Sequence, residues 1–144
     1  MTLNEVQDNI IEEFSLFDDW MDRYNYLIEI GKSLPVIDPR HKTNDYLIEG
    51  CQSKVWLYPE IKEDVIVFTA DSDAIITRGI VALLIRVLSN RAPQEIMKAD
   101  LYFIDSIGLK QNLSPTRSNG LLSMVRQMKL FAIAFDARAK KITE

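Results

Sequence analysis

The chain holds one cysteine, Cys51, and one histidine, His41, among 144 residues. No intramolecular disulfide can form, and so sparse a set assembles neither a Cys/His metal site nor a self-ligated iron-sulfur cluster. The 5 glycines include no glycine-rich phosphate loop. No lysine stands in a context that suggests pyridoxal phosphate, so no cofactor is expected. Bases are too few and too scattered to follow a phosphate backbone, Lys and Arg totalling 17 against 21 Asp and Glu for a net charge of −4. Nucleic acid is therefore not an expected partner. Long apolar runs are missing too: Ile80–Ile85 is stopped by Arg86, far short of the ~18 residues of a membrane span. The N-terminus carries Glu5, Asp8, Glu12 and Glu13 with no base before Arg23, the opposite charge to a signal or transit peptide, and a cytoplasmic location is the expectation.

What is present suits a folded domain. With 47% hydrophobic and 26% charged residues the disordered and fibrous classes drop out, and the length fits one domain over residues 1–144 at the usual ~100–200 residues apiece. Charge is uneven along the chain. Residues 1–50 carry 4 bases and 11 acids, net −7, whereas residues 51–144 carry 13 and 10, net +3, an asymmetry able to orient a docking partner.

Local patterns give the elements. Thr2 with Glu5 forms a capping box ahead of Leu3, Val6, Ile10, Phe14 and Phe17, which predicts a helix from about Leu3 to Phe17. Asp18 and Asp19 can cap a second helix, with Trp20, Tyr24, Leu27 and Ile28 on one face and Gly31 as a left-handed exit. Pro35–Asn44 reads as an exposed loop. Three short β-type runs follow, Tyr46–Ile48, Val55–Tyr58 and Val65–Thr69, with Pro59–Asp64 as a polar connection. Asp71, Ser72 and Asp73 are capping candidates for a buried helix bearing Ile76, Ile80, Leu83, Leu84 and Val87, Trp56 is expected in the core, and Trp20 is expected to anchor helix packing. Pro93–Met97 suggests a short turn of helix. Ser114 and Pro115 open a last helix through Leu121, Val125, Met128, Ala132 and Phe135, ending in Arg138, Lys140 and Lys141. The expected fold class is α+β, a small three-stranded antiparallel sheet packed against several helices.

Cys51 is the one strong nucleophile without an evident structural task. A lone cysteine often serves as a small buried hydrophobe. Against that, the turn Gly50-Cys51-Gln52-Ser53 has polar neighbours and a glycine able to present the thiol. His41 lies ten residues earlier and raises a Cys-His thiol hydrolase as an alternative, although its loop supplies no orienting third group. The other reading of His41 is a solvated loop residue between Arg40 and Lys42.

The segment Gly50-Cys51-Gln52-Ser53-Lys54-Val55-Trp56-Leu57 resembles the active-site segment of the SufE-type sulfur-acceptor proteins. Three further blocks agree in order and spacing: Trp20–Tyr24 continuing through Leu27-Ile28 and Gly31–Pro35, then Asp71–Ala74, then Leu113–Leu121. Lys54, Glu49 and Leu122 depart from the usual residues of the family. The resemblance implies a SufE/IscU-like fold and a role in the SUF system of iron-sulfur cluster assembly. Cys51 would accept persulfide sulfur from a cysteine desulfurase of the SufS or CsdA type, stimulate that enzyme, and pass sulfur to a scaffold complex. Pyridoxal phosphate would belong to the partner, and the only group carried would be a transient persulfide on Cys51. The family also implies a cysteine loop that alternates between sheltered and extended positions, and leaves a homodimer open. A purely non-covalent, allosteric adaptor of a desulfurase is the other alternative. Arg117 is the second candidate site residue. It falls in the first turn of a helix, where the dipole disfavours a cation, and the matching arginine of the family lies near the cysteine; a surface arginine paired with a carboxylate is the plainer account. Uncharged Cys51, with an ordinary pKa near ~8.5, would need positive potential to attack quickly at neutral pH.

Overall fold

The computed structural model describes residues 1–143. Helix α1 spans Leu3–Phe14, and the Thr2 Oγ1 accepts the Glu5 N–H at 3.1 Å as the capping pattern predicts. Its buried face is Leu3, Gln7, Ile10 and Phe14. Gln7, the polar member, is satisfied in the core: its Nε2 donates to the Asp100 carbonyl at 3.0 Å and its Oε1 accepts the Phe103 N–H at 3.2 Å. Helix α2, Trp20–Gly31, is capped by the Asp19 carboxylate on the Met21 N–H at 2.7 Å.

Gly31 does not provide a left-handed exit. The helix ends through Lys32 at φ −69°, and Gly31 is used instead for close approach to helix α3, Ile75–Leu88. A Cβ on Gly31 would lie 2.9 Å from the Gly79 nitrogen, and one on Gly79 would lie 2.1 Å from the Leu27 carbonyl oxygen. The two helices thus cross backbone to backbone, and α3, buried over Ile76, Ile80, Val81, Leu83, Leu84 and Val87 among others, is the central element of the core.

The sheet has two strands among the described residues, where the sequence pattern predicts three. Strand β1, Val55–Lys62, pairs antiparallel with β2, Val65–Ser72, from Val55 opposite Ser72 to Lys62 opposite Val65. Tyr46–Ile48 does not become a third strand, because Asn44–Tyr46 winds into a 3₁₀ turn and Gly50 turns the chain at φ 87°. Only a single bridge between Leu47 and Trp56 remains, with the Ile48 N–H donating to the Val55 carbonyl at 2.8 Å. Pro59–Asp64 is not a connection either: β1 runs on through Pro59 to Lys62, and the turn is Glu63-Asp64, with Glu63 at φ 57°. Proline is tolerated because its partner Phe68 directs its own N–H to the Ser89 Oγ at 2.8 Å, leaving a pair that exchanges no ladder bonds.

Asp71 and Asp73 do not cap α3. The strand continues through Ser72, whose Oγ accepts the Ala74 N–H at 3.2 Å. Short helices α4 (Pro93–Lys98), α5 (Phe103–Ser106) and α6 (Leu109–Asn112) lead to α7, Pro115–Thr143. Ser114 Oγ accepts the Arg117 N–H at 3.3 Å, and Leu121, Met124, Met128 and Ala132 form the buried stripe of α7. Met124 therefore holds a place that spacing alone gives to Val125, which is half-buried. No helix among the described residues is long and apolar enough to cross a membrane.

Candidate functional site

Three elements converge on Cys51. The loop between Ile48 and β1 turns at Gly50, and its left-handed φ of 87° favours glycine. A Cβ there would also lie 2.6 Å from the Ser123 Oγ of α7. The far end of the loop is tied to the start of α3. Asp73 Oδ1 accepts the Lys54 N–H at 3.0 Å while the Asp73 N–H donates to the Lys54 carbonyl at 3.3 Å. Asp73 thus anchors the cysteine loop.

The Cys51 side chain is half-buried and folds against the early turns of α7. Its Sγ donates to the Gly120 carbonyl oxygen at 3.6 Å. A Cβ on Gly120 would come within 3.4 Å of that sulfur, in ordinary contact. Beside the thiol is a cavity of about 70 Å³ lined by Cys51, Gln52, Ser53, Thr77, Ile80, Thr116, Arg117, Gly120 and Met124. Burial pushes the Cys51 thiol above its ordinary pKa. The sheltered sulfur is therefore a protonated resting form.

Arg117 reaches the same cavity from the first turn of α7, but its side chain is exposed, and its Nη1 donates to the Tyr24 Oη at a long 3.5 Å. The sequence-derived pair is thus brought into one site without direct contact between guanidinium and thiol. His41 is elsewhere: its ring stacks on Tyr58 with centroids 3.7 Å apart and planes 5° from parallel, with Tyr46 edge-on. It lines no part of the cysteine cavity, and the Cys-His hydrolase reading loses its base. Trp56 is half-buried with Lys42 Nζ 4.6 Å from its ring centroid, a cation-π cover rather than full core placement.

Sequence reasoning misses Tyr24 as a partner of Arg117 and Thr77 as a wall of the cavity. Helical spacing assigns Tyr24 to an apolar face. Thr77 has one available signal, a hydroxyl beside the buried Ile76 and Ile80. Asp71, another residue of the second family block, is held by Lys42 Nζ at 2.9 Å and Arg78 Nε at 3.4 Å. Burial works to raise its pKa, but the Lys42 and Ser72 N–H hydrogen bonds with both nearby cations hold it below the ordinary value.

Comparison with known proteins adds the lineage. The family model described as "SufE: Fe-S metabolism associated domain" matches residues 8–132. An uncharacterised SufE-like protein of Rhizobium etli is 43% identical over 127 residues, 85% of this chain and 86% of that protein. Another, from Rhizobium meliloti, is 39% identical over 85% of this chain and 91% of its own length. SufE-like protein 1, chloroplastic/mitochondrial, of Arabidopsis thaliana is 35% identical over 92% of this chain, which spans 36% of that longer protein. The solution structure of a hypothetical protein from Thermus thermophilus shares the fold, with a TM-score of 0.74 at 16% identity over 90% of this chain and 94% of that one.

Proposed function

The chain belongs to the SufE family, whose domain is associated with Fe-S metabolism, and from that premise we propose that it is a sulfur acceptor working through Cys51. It takes persulfide sulfur from a pyridoxal-phosphate cysteine desulfurase, speeds that enzyme by emptying its cysteine, and delivers the sulfur to a cluster-assembly scaffold. The observation that carries the reading is the chain's one thiol, set on a glycine turn and sheltered in a cavity that Arg117 also lines.

The reaction needs little machinery. The Cys51 thiolate attacks the outer sulfur of the donor persulfide, the bond between the two donor sulfurs breaks, and the donor cysteine leaves as a thiolate. The new S–S bond is on Cys51, nothing is oxidised or reduced overall, and the proton lost from Cys51 is matched by the one the donor thiolate regains. A second cysteine nearby would attack the loaded persulfide and release sulfide, so one thiol suits a carrier. Since burial favours the protonated thiol, attack belongs to an extended position of the loop, where water and the exposed Arg117 guanidinium favour the thiolate. The weak Tyr24 contact gives that guanidinium up at small cost.

Incubation with a desulfurase and cysteine should add sulfur to the wild-type chain, seen by intact mass and removed by reductant, and add none to Cys51→Ser. Full stimulation of the desulfurase by Cys51→Ser would instead establish the non-covalent adaptor.

A further inference from the structure

The cavity beside Cys51, at about 70 Å³, exceeds the roughly 10–15 Å³ of such space that admits one water molecule. A second sulfur bonded to Sγ fits there with the loop in place. In the wall, Ile80 and Met124 are apolar and Gly120 presents a carbonyl oxygen to the thiol at 3.6 Å, while the polar members Gln52, Thr116 and Arg117 are exposed and Ser53 is half-buried. Thr77 differs. It lies in the first turn of α3, is only 6% exposed, and its hydroxyl has no hydrogen-bond partner among the described residues. A hydroxyl that bonds no described residue and stays reachable by water can turn to a bound anion without first giving up a protein partner.

We propose that Thr77 is a positioning residue whose hydroxyl donates a hydrogen bond to the outer sulfur of the Cys51 persulfide, making the cavity a subsite for an anionic sulfane sulfur. The proposal rests on the sulfur-acceptor reading and adds to it the group that receives the cargo. Once the persulfide is formed, the negative charge lies on the outer sulfur, one bond beyond the position that burial protects as a neutral thiol. The Thr77 O–H compensates that charge inside the cavity. No bond to sulfur forms or breaks in this step, and a proton still on the persulfide passes to solvent. The loaded loop is thereby held in its sheltered position, away from oxidants that would carry the persulfide further.

The test loads Cys51 chemically with inorganic polysulfide, so that no desulfurase is needed, and follows alkylation of the persulfide against pH. The chains compared are wild type, Thr77→Val, Thr77→Ala and Thr77→Ser. Loss of one hydrogen bond to an anion should move the midpoint of the loaded form up by about one pH unit in the two hydroxyl-free variants. Thr77→Ser should stay near wild type, and the unloaded thiol should shift less than the persulfide does. Superimposed profiles for wild type and Thr77→Val overturn the proposal, as does an equal shift in Ser, Ala and Val, which marks a packing effect. A wild-type chain that takes up no sulfur from polysulfide removes the acceptor reading itself, and the proposal with it.

Discussion

Under the proposed sulfur-acceptor role two demands conflict at Cys51, because a carrier must shelter its persulfide and yet expose a thiolate to a donor. The sheltered form is favoured here by burial, which raises the thiol pKa, and by the contact with the Gly120 carbonyl. From sequence, Arg117 is expected to lower that pKa. The structure turns its guanidinium to Tyr24, and burial is the influence that moves the thiol. The expected outcome is specific to the state of the loop. In the free chain, Arg117→Ala should leave the iodoacetamide profile of Cys51 in place, displaced to higher pH than an exposed cysteine. With a desulfurase, the same substitution should slow sulfur uptake about tenfold, the equivalent of about one pKa unit of thiolate stabilisation. Arg117→Lys should recover part of the rate, keeping charge without the planar fork. An upward shift of the free-chain profile in Arg117→Ala would show instead that the guanidinium already acts on the sheltered thiol.

Elements were legible where their signals are local, and illegible where a distant residue decides. Thr2, Asp19 and Ser114 cap helices within three residues of their own position, and each does so in the structure. The third strand fails because Leu47 and Ile48 are extended but lie between a 3₁₀ turn and the Gly50 reversal, too short a run to build a ladder. Asp71 and Asp73 carry the composition of caps, yet Lys42 and the Lys54 backbone, distant in sequence, claim their carboxylates. Gly31 has the local look of a helix exit, and its reason lies on α3. That crossing gives a contrast between glycines. Gly79→Ala puts a methyl 2.1 Å from the Leu27 carbonyl oxygen, a backbone atom that cannot rotate away. Separating α2 from α3 should cost ~3 kcal/mol or more in a urea unfolding series. Gly120→Ala meets Cys51 Sγ at 3.4 Å, and removal of a helix-interior glycine should stabilise the chain by up to ~1 kcal/mol. Equal stability for the two variants would mean that α2 and α3 are free to move apart.

Across the whole molecule, protonation bears separately on the cysteine site and on the packing of the helices. Glu13 of α1 accepts from Arg86 of α3 and, at 2.6 Å, from the Tyr26 Oη of α2, so one carboxylate joins three helices. The Arg86 hydrogen bond outweighs burial and, with the Tyr26 hydroxyl, holds the Glu13 pKa below its ordinary value. A carboxylate depressed in the folded state contributes stability above its unfolded pKa, which is lost as pH falls below ~4.3 and through the folded value. Cys51 works in the opposite direction. Its folded pKa is raised, so the folded chain binds more protons than the unfolded one above pH ~8.5, and stability falls as pH rises through the folded value. Chemical unfolding against pH should therefore trace a dome, with Glu13 and Asp71 contributing to its acid side and Cys51 and Tyr26 to its alkaline side. Cys51→Ser should flatten the alkaline side alone. Glu13→Gln should lower stability at neutral pH and reduce the acid slope, by a modest amount because both Glu13 and Arg86 remain partly open to water. An alkaline limb unchanged in Cys51→Ser would place the thiol in solvent in the free chain, and the sheltered resting form would then be the minor one.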